Sequence, residues 1–384
     1  MLDSPTIWQL YINTLSDWAQ VPARDVFSVT AINTFSDLGD ISPAVSNLSM
    51  FQLGNSVPAP GSNYSPRSSL FVSYWLYLTY RLQALGSAPQ SLFGATRPAP
   101  DFELYRQLVN SQHPGNVTVN YAYASNAAAT SGMLNTVHEQ FKDHFASRAP
   151  ALYKALDGCR RANLQQVSDL NMLCADNALA GTRCPLYRVA QWPQMLHEWR
   201  YRPALSLFGK PMLKVLDRVK IDLANTTPAM SGRAFAALGQ PEFITLNPEA
   251  SPMACSAVSM SLAMERFGTY AINPGPWFDM SQLDRSQAKP SPDAPDFLGI
   301  QGAMGLLPVQ ALIGFRPTLT LHVSSLAHAQ SLADSVTRVG PFAVKAAATL
   351  RLAAGSTGEV NIDFDSQDCD LPVLLGVVSR RAQG

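Results

Sequence analysis

The sequence predicts an α+β fold in which a mainly helical, shell-type domain precedes a smaller strand-rich region. Helical spacing of apolar residues and helix-start signals dominate the first two-thirds of the 384 residues. From about Gly239 the segments become short, alternating and rich in β-branched residues. We therefore expect a helix-rich domain at residues 1–235 and a mixed, strand-rich region at residues 236–384.

The predicted helices of the first region follow one another along the chain. Ser4 and Pro5 supply an N-cap and a proline at the first helical position. Further helices are expected after Asp101 and at residues 151–173. Apolar residues at helical spacing mark the first helix and another of about four turns: Ile7, Leu10, Tyr11, Leu15 and Trp18, then Leu134, Val137, Phe141 and Phe145.

The most aromatic helix is predicted around SYWLYLTYRL, residues 73–82. Ser69, Ser73, Thr79 and Arg81 make this stretch too polar for the roughly 20 residues that a membrane-spanning helix needs. Its apolar side chains nevertheless fill almost the whole circumference, which is typical of a buried helix.

The second region contains five strand-like segments, with a helix-like segment at residues 325–339 among them. A proline-rich stretch at residues 273–297 is expected to form a long protruding loop. Glycines at 299–305 indicate a turn into the apolar LLPVQALIGF. The strand-like segments are EFITLN, RPTLTLHVSS, FAVKAAATLRLA, EVNIDF and LPVLLGVVS.

Charge is scarce and balanced. Only 15% of residues are charged, with 28 basic and 28 acidic side chains, whereas soluble domains average roughly 25%. A monomer normally keeps itself soluble with abundant mixed charge and a net charge away from zero. The composition therefore favours a protein whose surface is largely covered by partners.

The cysteines and the first residues indicate a reducing compartment. There are five cysteines and no CxxC pair, which disfavours a disulfide framework and a zinc ribbon. MLDSPTIWQL carries Asp3 and no basic segment before an apolar stretch, so it is not expected to act as a secretory signal.

No catalytic motif forms a coherent set. His138 and His144 are six residues apart, so on a helix their rings point in different directions, unlike zinc ligands four apart. Ser286 and Lys289 match a short SxxK pattern, but within the proline-rich stretch. We expect no catalytic residues, cofactor or structural metal, although a cytoplasmic enzyme with dispersed residues such as His197, His322 and Asp363 remains the alternative.

An acidic cluster, DFDSQDCD at residues 363–370, departs from the EF-hand pattern because Gln367 and Asp368 occupy a ligand and a glycine position. A polar turn between two strands is the simpler interpretation. A divalent ion bound at a subunit contact is the alternative.

One segment is strongly basic. Residues 183–220 carry eight basic residues against Glu198 and Asp217, interleaved with aromatic residues. This mixture can contact phosphates while aromatic faces stack on bases, so the segment is a candidate for facing RNA. A solvated helix face and an acidic protein partner are alternatives. The basic residues are Arg183, Arg188, Arg200, Arg202, Lys210, Lys214, Arg218 and Lys220.

The stretch SLFVSYWLYLTYRLQAL, residues 69–85, resembles the aromatic helix in coat proteins of small double-stranded RNA viruses of the partitivirus-like group. The resemblance covers about a tenth of the chain. It implies a thin icosahedral shell built from dimers, with a mainly helical shell region, a smaller protruding region, and the genome and its polymerase inside. A β-rich jelly-roll capsid is the alternative fold.

A further feature agrees with a duplex genome. Many coat proteins of single-stranded RNA viruses neutralise the genome with a basic arm, but residues 1–68 contain only Arg24 and Arg67 as basic side chains. We therefore predict a coat protein that self-assembles in the host cytoplasm and resides in the virion, with copies of itself, RNA and a polymerase as partners and no membrane. A nucleic-acid-binding oligomer of another kind remains open.

Overall fold

A computed structural model of the chain describes residues 4–30, 43–61, 64–84, 146, 149–163, 166–174, 183–189, 219–221, 242–247, 257–290, 294–299, 301–345, 348–355, 358–365 and 371–382. It is strand-rich, with 40% strand and 32% helix. The prediction of a mainly helical chain is wrong, and one cause is that residues 257–274, for which no strand was predicted, form a long β-strand paired with residues 310–323. The β-rich alternative is closer in strand content, although most of the described strands lie in one eight-stranded sheet.

Five helices are described. They are α1 (Ser4–Trp18), α2 (Pro43–Asn55), α3 (Leu70–Ala84), α4 (Pro150–Asn163) and α5 (Leu326–Ser335). Two short 3-10 turns lie at Met280–Gln282 and Arg285–Gln287. The start predicted for the first helix and the buried helix predicted around residues 73–82 are confirmed. Within the described residues, no helix is both long enough and apolar enough to cross a membrane.

The described strands are β1 (Asp25–Val29), β2 (Ser56–Pro58), β3 (Pro66–Ser69), β4 (Asn171–Leu173), β5 (Arg183–Pro185), β6 (Tyr187–Val189), β7 (Val219–Ile221), β8 (Ile244–Leu246), β9 (Ala257–Pro274), β10 (Leu306–Val323), β11 (Val336–Val339), β12 (Phe342–Ala343), β13 (Thr349–Leu352), β14 (Val360–Asp365) and β15 (Pro372–Arg381). The main sheet is antiparallel and is organised around the 18-residue strand β10.

Strand β10 has three partners. On one side β9 accompanies it along nearly its whole length. On the other side β15 pairs with Leu306–Phe315 and β14 with Thr318–Val323, so two strands share one edge of β10 in succession. Beyond them β1 pairs with β15 and β13 with β14, while β6 and β7 pair with β9.

The core lies on both faces of this sheet. One layer, here the α3 layer, packs α2, α3 and α4 against the sheet, and Ile313 and Phe315 of β10 belong to it. The other, the α1 layer, contains α1 and α5 together with Leu312, Leu319 and Leu321 of β10. Both clusters consist of fully or almost fully buried apolar side chains, the usual source of folding free energy.

The alternation of β10 reverses at Arg316. Ala311, Ile313 and Phe315 before it face the α3 layer, whereas Leu319, Leu321 and Val323 after it face the α1 layer. Arg316 has a left-handed backbone (φ 49°), as residues in β-bulges can have, and β9 changes phase at the same level, between Met264 and Phe267. The same side of the sheet is therefore apolar before Arg316 and carries Thr318, Thr320 and His322 after it.

Helix α3 forms the wall of the α3 layer, and its tyrosines hold a neighbouring loop. The Tyr74 hydroxyl donates to the Asp279 carbonyl (3.1 Å) and the Tyr77 hydroxyl to the Asp284 carbonyl (3.2 Å). Arg81 donates to the Gln282 carbonyl (2.5 Å). The polar tips of the aromatic residues therefore fix the chain that covers the helix.

The proline-rich stretch differs from the exposed loop that was predicted. Residues 273–274 still belong to β9, and the described residues that follow pack on α3, with Trp277 and Phe297 almost fully buried. Phe71 contacts Trp277 edge to face at 5.1 Å between ring centroids, and Trp277 Nε1 donates to the Leu186 carbonyl (2.8 Å). Burial of these large aromatic side chains removes much apolar surface from water, which explains why this part of the loop folds back onto α3.

Strands from both predicted domains share the main sheet. Strands β1 and β7 precede residue 236, yet they pair with β15 and β9. The predicted boundary itself lies outside the described residues.

One cysteine pair is bonded, which the sequence did not predict. Cys174 and Cys184 form a disulfide beside the β4–β5 hairpin. Cys159 is buried and unbonded, and burial raises the pKa of its thiol, so it stays protonated and unreactive.

Candidate functional site

The candidate site is the polar face at the C-terminal half of β10, called here the polar face. In RPTLTLHV and VNIDFD every second residue is polar, so the pleat places the polar residues together on one side. The register pairs Thr318 with Asp365, Thr320 with Asp363, and His322 with Asn361. The apolar residues between them point into the α1 layer, which fixes the register.

His322 is held between two neighbours. Its Nδ1 lies 3.0 Å from the Asn361 side-chain oxygen, and its Nε2 lies 3.1 Å from a carboxylate oxygen of Glu359. Both neighbours offer acceptor oxygens, so the ring donates to both only when it carries two protons. The half-buried imidazole therefore joins β10 to the start of β14 as a structural bridge.

Asp363 uses both of its oxygens. The Thr320 hydroxyl donates to one (2.5 Å), and Arg351 Nε of β13 lies 3.2 Å from the other. The carboxylate is mostly buried, whereas the Arg351 side chain is 69% exposed. This pair links three adjacent strands, β10, β14 and β13, across the polar face.

Strand β13 ends the sheet. Thr349 pairs with Asp363 and Arg351 with Asn361 on β14. Among the residues that the structure describes, β13 pairs with no second strand. Leu350 packs against the α1 layer, but Leu352 is 74% exposed. An exposed edge with a projecting leucine is a ready template for pairing with another chain.

The other outer strand on this side of the sheet, β1, is covered in part. At β1 the Tyr64 backbone N–H donates to the Val29 carbonyl (2.8 Å), and the Ser28 hydroxyl donates to the Gly61 carbonyl (2.8 Å). Gly61 and Tyr64 thus shield part of β1, whereas no such contact with the outer side of β13 is found among the described residues.

The polar and charged side chains of the polar face join neighbouring strands. The Thr320 hydroxyl and Arg351 Nε both contact Asp363, and the His322 ring lies between Asn361 and Glu359. In the described part of the chain, no group of three or more His, Cys, Asp or Glu side chains is arranged to hold a metal ion.

The basic segment is described only in part. Arg183 Nε donates to the Asn171 side chain (2.6 Å) and stabilises the β4–β5 hairpin, while Arg188 is exposed on β6. The backbone of Lys220 lies in β7 opposite Ser261, in the same row of the sheet as Thr320. Arg200, Arg202, Lys210, Lys214 and Arg218 lie outside the described residues, so the RNA-facing role stays a prediction.

Of the other candidate residues, some are described by the structure and others are not. His322 and Asp363 lie on one face but bind different partners, and His197, His138 and His144 fall outside the described residues. Residues 366–370 of the acidic cluster also fall outside them. The Ser286 hydroxyl donates to Asp284 (2.8 Å) in a surface turn, which is a structural role.

Sequence reasoning missed Thr320, Glu359, Asn361 and Arg351, as well as the open edge at β13. The alternation in RPTLTLHV and EVNIDF was the available signal, because polar residues at every second position of two strands share a face when those strands pair. No protein-family model, curated protein or solved structure matches this chain.

Proposed function

We propose that this chain is a structural protein that assembles with copies of itself into a closed shell, the coat of an RNA virus. The observation that carries the proposal is the open edge at β13, where Leu352 projects from an edge strand of a large, well-packed sheet. Unpaired backbone groups on an edge strand are a template for pairing with another chain.

Composition supports the same conclusion. The chain has 28 basic and 28 acidic residues, and only 15% of its residues are charged. A protein with so little net repulsion between copies associates readily. Closed point-group or icosahedral packing then satisfies complementary edges without leaving any exposed.

The proposed contents of the shell are RNA and its polymerase, with assembly in the host cytoplasm. The basic segment at residues 183–220 supports an RNA contact, since eight basic residues there face only two acidic ones. Contact through phosphates makes binding weaken steeply as salt increases. The resemblance of residues 69–85 to partitivirus-like coat proteins is compatible with this proposal, and α3 forms a buried wall as such a helix would.

The test is the mass and shape of the purified full chain. Light scattering coupled to size exclusion is expected to give a mass many times the 41.6 kDa of one chain, and negative-stain micrographs are expected to show closed particles. Particles purified at low salt are expected to carry nuclease-protected RNA. A single species of 41.6 kDa across the micromolar range would overturn the proposal.

A further inference from the structure

We propose that two copies of this chain pair antiparallel through β13, so that the main sheet continues across a two-fold axis. The inference rests on the proposed self-assembly and names the surface that joins the first two copies. It commits to a second copy as the occupant because the edge is complementary to itself, as the following geometry indicates.

Among the residues that the structure describes, the outer backbone groups of β13 have no hydrogen-bond partner. The Ala353 N–H donates to the Glu359 carbonyl, in line with the unshifted register of β13 and β14. In an antiparallel ladder, hydrogen-bonding residues alternate. Residues 349, 351 and 353 therefore bond to β14, and the N–H and C=O groups of Leu350 and Leu352 point away from it, towards an incoming strand.

Side-chain chemistry selects one register. A continuous sheet needs opposite residues to share a face, and the two registers of this kind that overlap most of Thr349–Leu352 place Leu350 opposite Leu350 or Leu352 of the second copy. Facing Leu352 would place the two Arg351 guanidinium groups directly opposite each other, and like charges in that position are destabilising. Facing Leu350 instead places Arg351 opposite Thr349 of the second copy.

That register is also complementary in charge. Thr349 is the neighbour of Asp363 on β14, so Arg351 of one copy lies in the same row as Asp363 of the other. Arg351 already contacts its own Asp363 through Nε, and the guanidinium has further N–H donors with which it can reach a second carboxylate. The two-fold axis creates this contact twice.

The other face of the junction is apolar. The register aligns Val323, Val360 and Leu352 in one row at the end of the sheet. Leu326, 56% exposed, begins α5 three residues after Val323, at that same end. Pairing places Leu352 opposite Ala348 of the second copy, which removes this exposed leucine from water and gives the junction an apolar lining.

A charge-complementation experiment tests the pairing. Alone, Arg351→Glu places Glu against Asp363 of the second copy, and Asp363→Arg places Arg against Arg351. We expect each variant to associate at least about tenfold more weakly than the wild type, in analytical ultracentrifugation at low salt. An equimolar mixture forms two opposite-charge contacts across the axis, so association is expected to recover, although each chain's internal pair remains broken.

A second pair of variants tests the pairing while leaving the contact between Arg351 and Asp363 within each chain intact. Leu352→Lys blunts the edge, whereas Val167→Lys changes a side chain that is 82% exposed away from it. Far-UV circular dichroism checks that both fold. Only Leu352→Lys is expected to weaken association, again by about tenfold.

The outcomes separate the two proposals. Recovery in the mixture together with the effect of Leu352→Lys supports β13 pairing. If all these variants assemble as strongly as the wild type, the β13 pairing is overturned but the proposed shell is not. If both charge variants associate weakly and their mixture does not recover, the two-fold register is also overturned. The same holds if the variants still self-associate but lose bound RNA or another bound protein. A monomeric wild type removes the proposed function itself.

Discussion

The two halves of β10 follow the same backbone path but have different surroundings. Leu306–Phe315 is buried on both faces, between the α3 layer and the α1 layer, whereas Thr318–Val323 is buried on one face only. The sequences match this difference: LLPVQALIGF is almost continuously apolar, and RPTLTLHV alternates. The first half of β10 contributes mainly to stability, and the second half presents the polar face near the edge strand β13.

The largest expected effect on stability comes from comparing substitutions on the same side of the sheet in the two halves of β10. Ile313→Ala in the covered half leaves a cavity in the α3 layer and is expected to lower the free energy of unfolding by about 2–5 kcal/mol. Thr318→Ala, on the same side of the sheet after Arg316, is expected to change it by less than about 0.5 kcal/mol. Urea unfolding followed by circular dichroism measures both, and equal losses would contradict the comparison.

A smaller effect on stability is expected when a buried tyrosine hydroxyl is removed, and it should differ between the α3 layer and the α1 layer. Tyr74→Phe removes the hydroxyl that bonds to both backbone groups of Asp279, and is expected to cost about 1 kcal/mol. Tyr11→Phe in the α1 layer is the matched control, because the Tyr11 hydroxyl is buried with no hydrogen-bond partner among the described residues. Thermal unfolding of the control is expected to match or exceed that of the wild type. Desolvation raises the pKa of both phenols, so both stay neutral.

The junction between the halves gives a still smaller effect. Arg316 adopts a left-handed backbone that costs most residues about 1 kcal/mol and costs glycine little. Arg316→Gly loses a guanidinium contact with the Phe315 ring (5.1 Å). We expect Arg316→Gly to raise the free energy of unfolding by about 0.5 kcal/mol, which is measured as a rise of the melting temperature by about 1–2 °C. A clear loss of stability would show that the contact outweighs the backbone preference.

The smallest expected effect is a pH dependence of the loop that covers α3. Hydrogen bonds from Ser281 hold the pKa of Asp279 below its ordinary value, and hydrogen bonds from Ser286 do the same for Asp284. A carboxylate with a depressed pKa in the folded state stabilises the fold above its ordinary pKa of about 3.9 and loses that contribution as pH falls below it. Unfolding midpoints at pH 5 and pH 3 are expected to differ less in Asp279→Asn than in the wild type.

Local patterns predicted several elements correctly. Ser4–Pro5 marked the start of α1, the aromatic run marked a buried α3, and alternation marked β14 and the second half of β10. The predicted helix at 151–173 ends at Asn163, and the one at 325–339 ends at Ser335, because in both cases the following residues join small sheets. These boundaries depend on partners that are distant in sequence.

The main element that was not predicted is β9. AVSMSLAMERFGTYAINP contains Ala, Met, Leu, Glu and Arg, which favour helices, yet it forms an 18-residue strand along β10. Tertiary pairing overrode the local preference, and the phase change between Met264 and Phe267 hid the alternation. The site was partly visible through His322 and Asp363, but its partner Arg351 became apparent only from the strand order.

The position of β15 has a consequence for how the chain matures. This strand, at residues 372–381, lies between β1, at residues 25–29, and β10. During synthesis on the ribosome, β1 therefore emerges long before residues 372–381, its hydrogen-bonding partner, have been made. Such distant pairings are slow to form. Completion of the sheet is thus timed by translation, and a nascent chain interrupted before residue 372 has no route to the native arrangement.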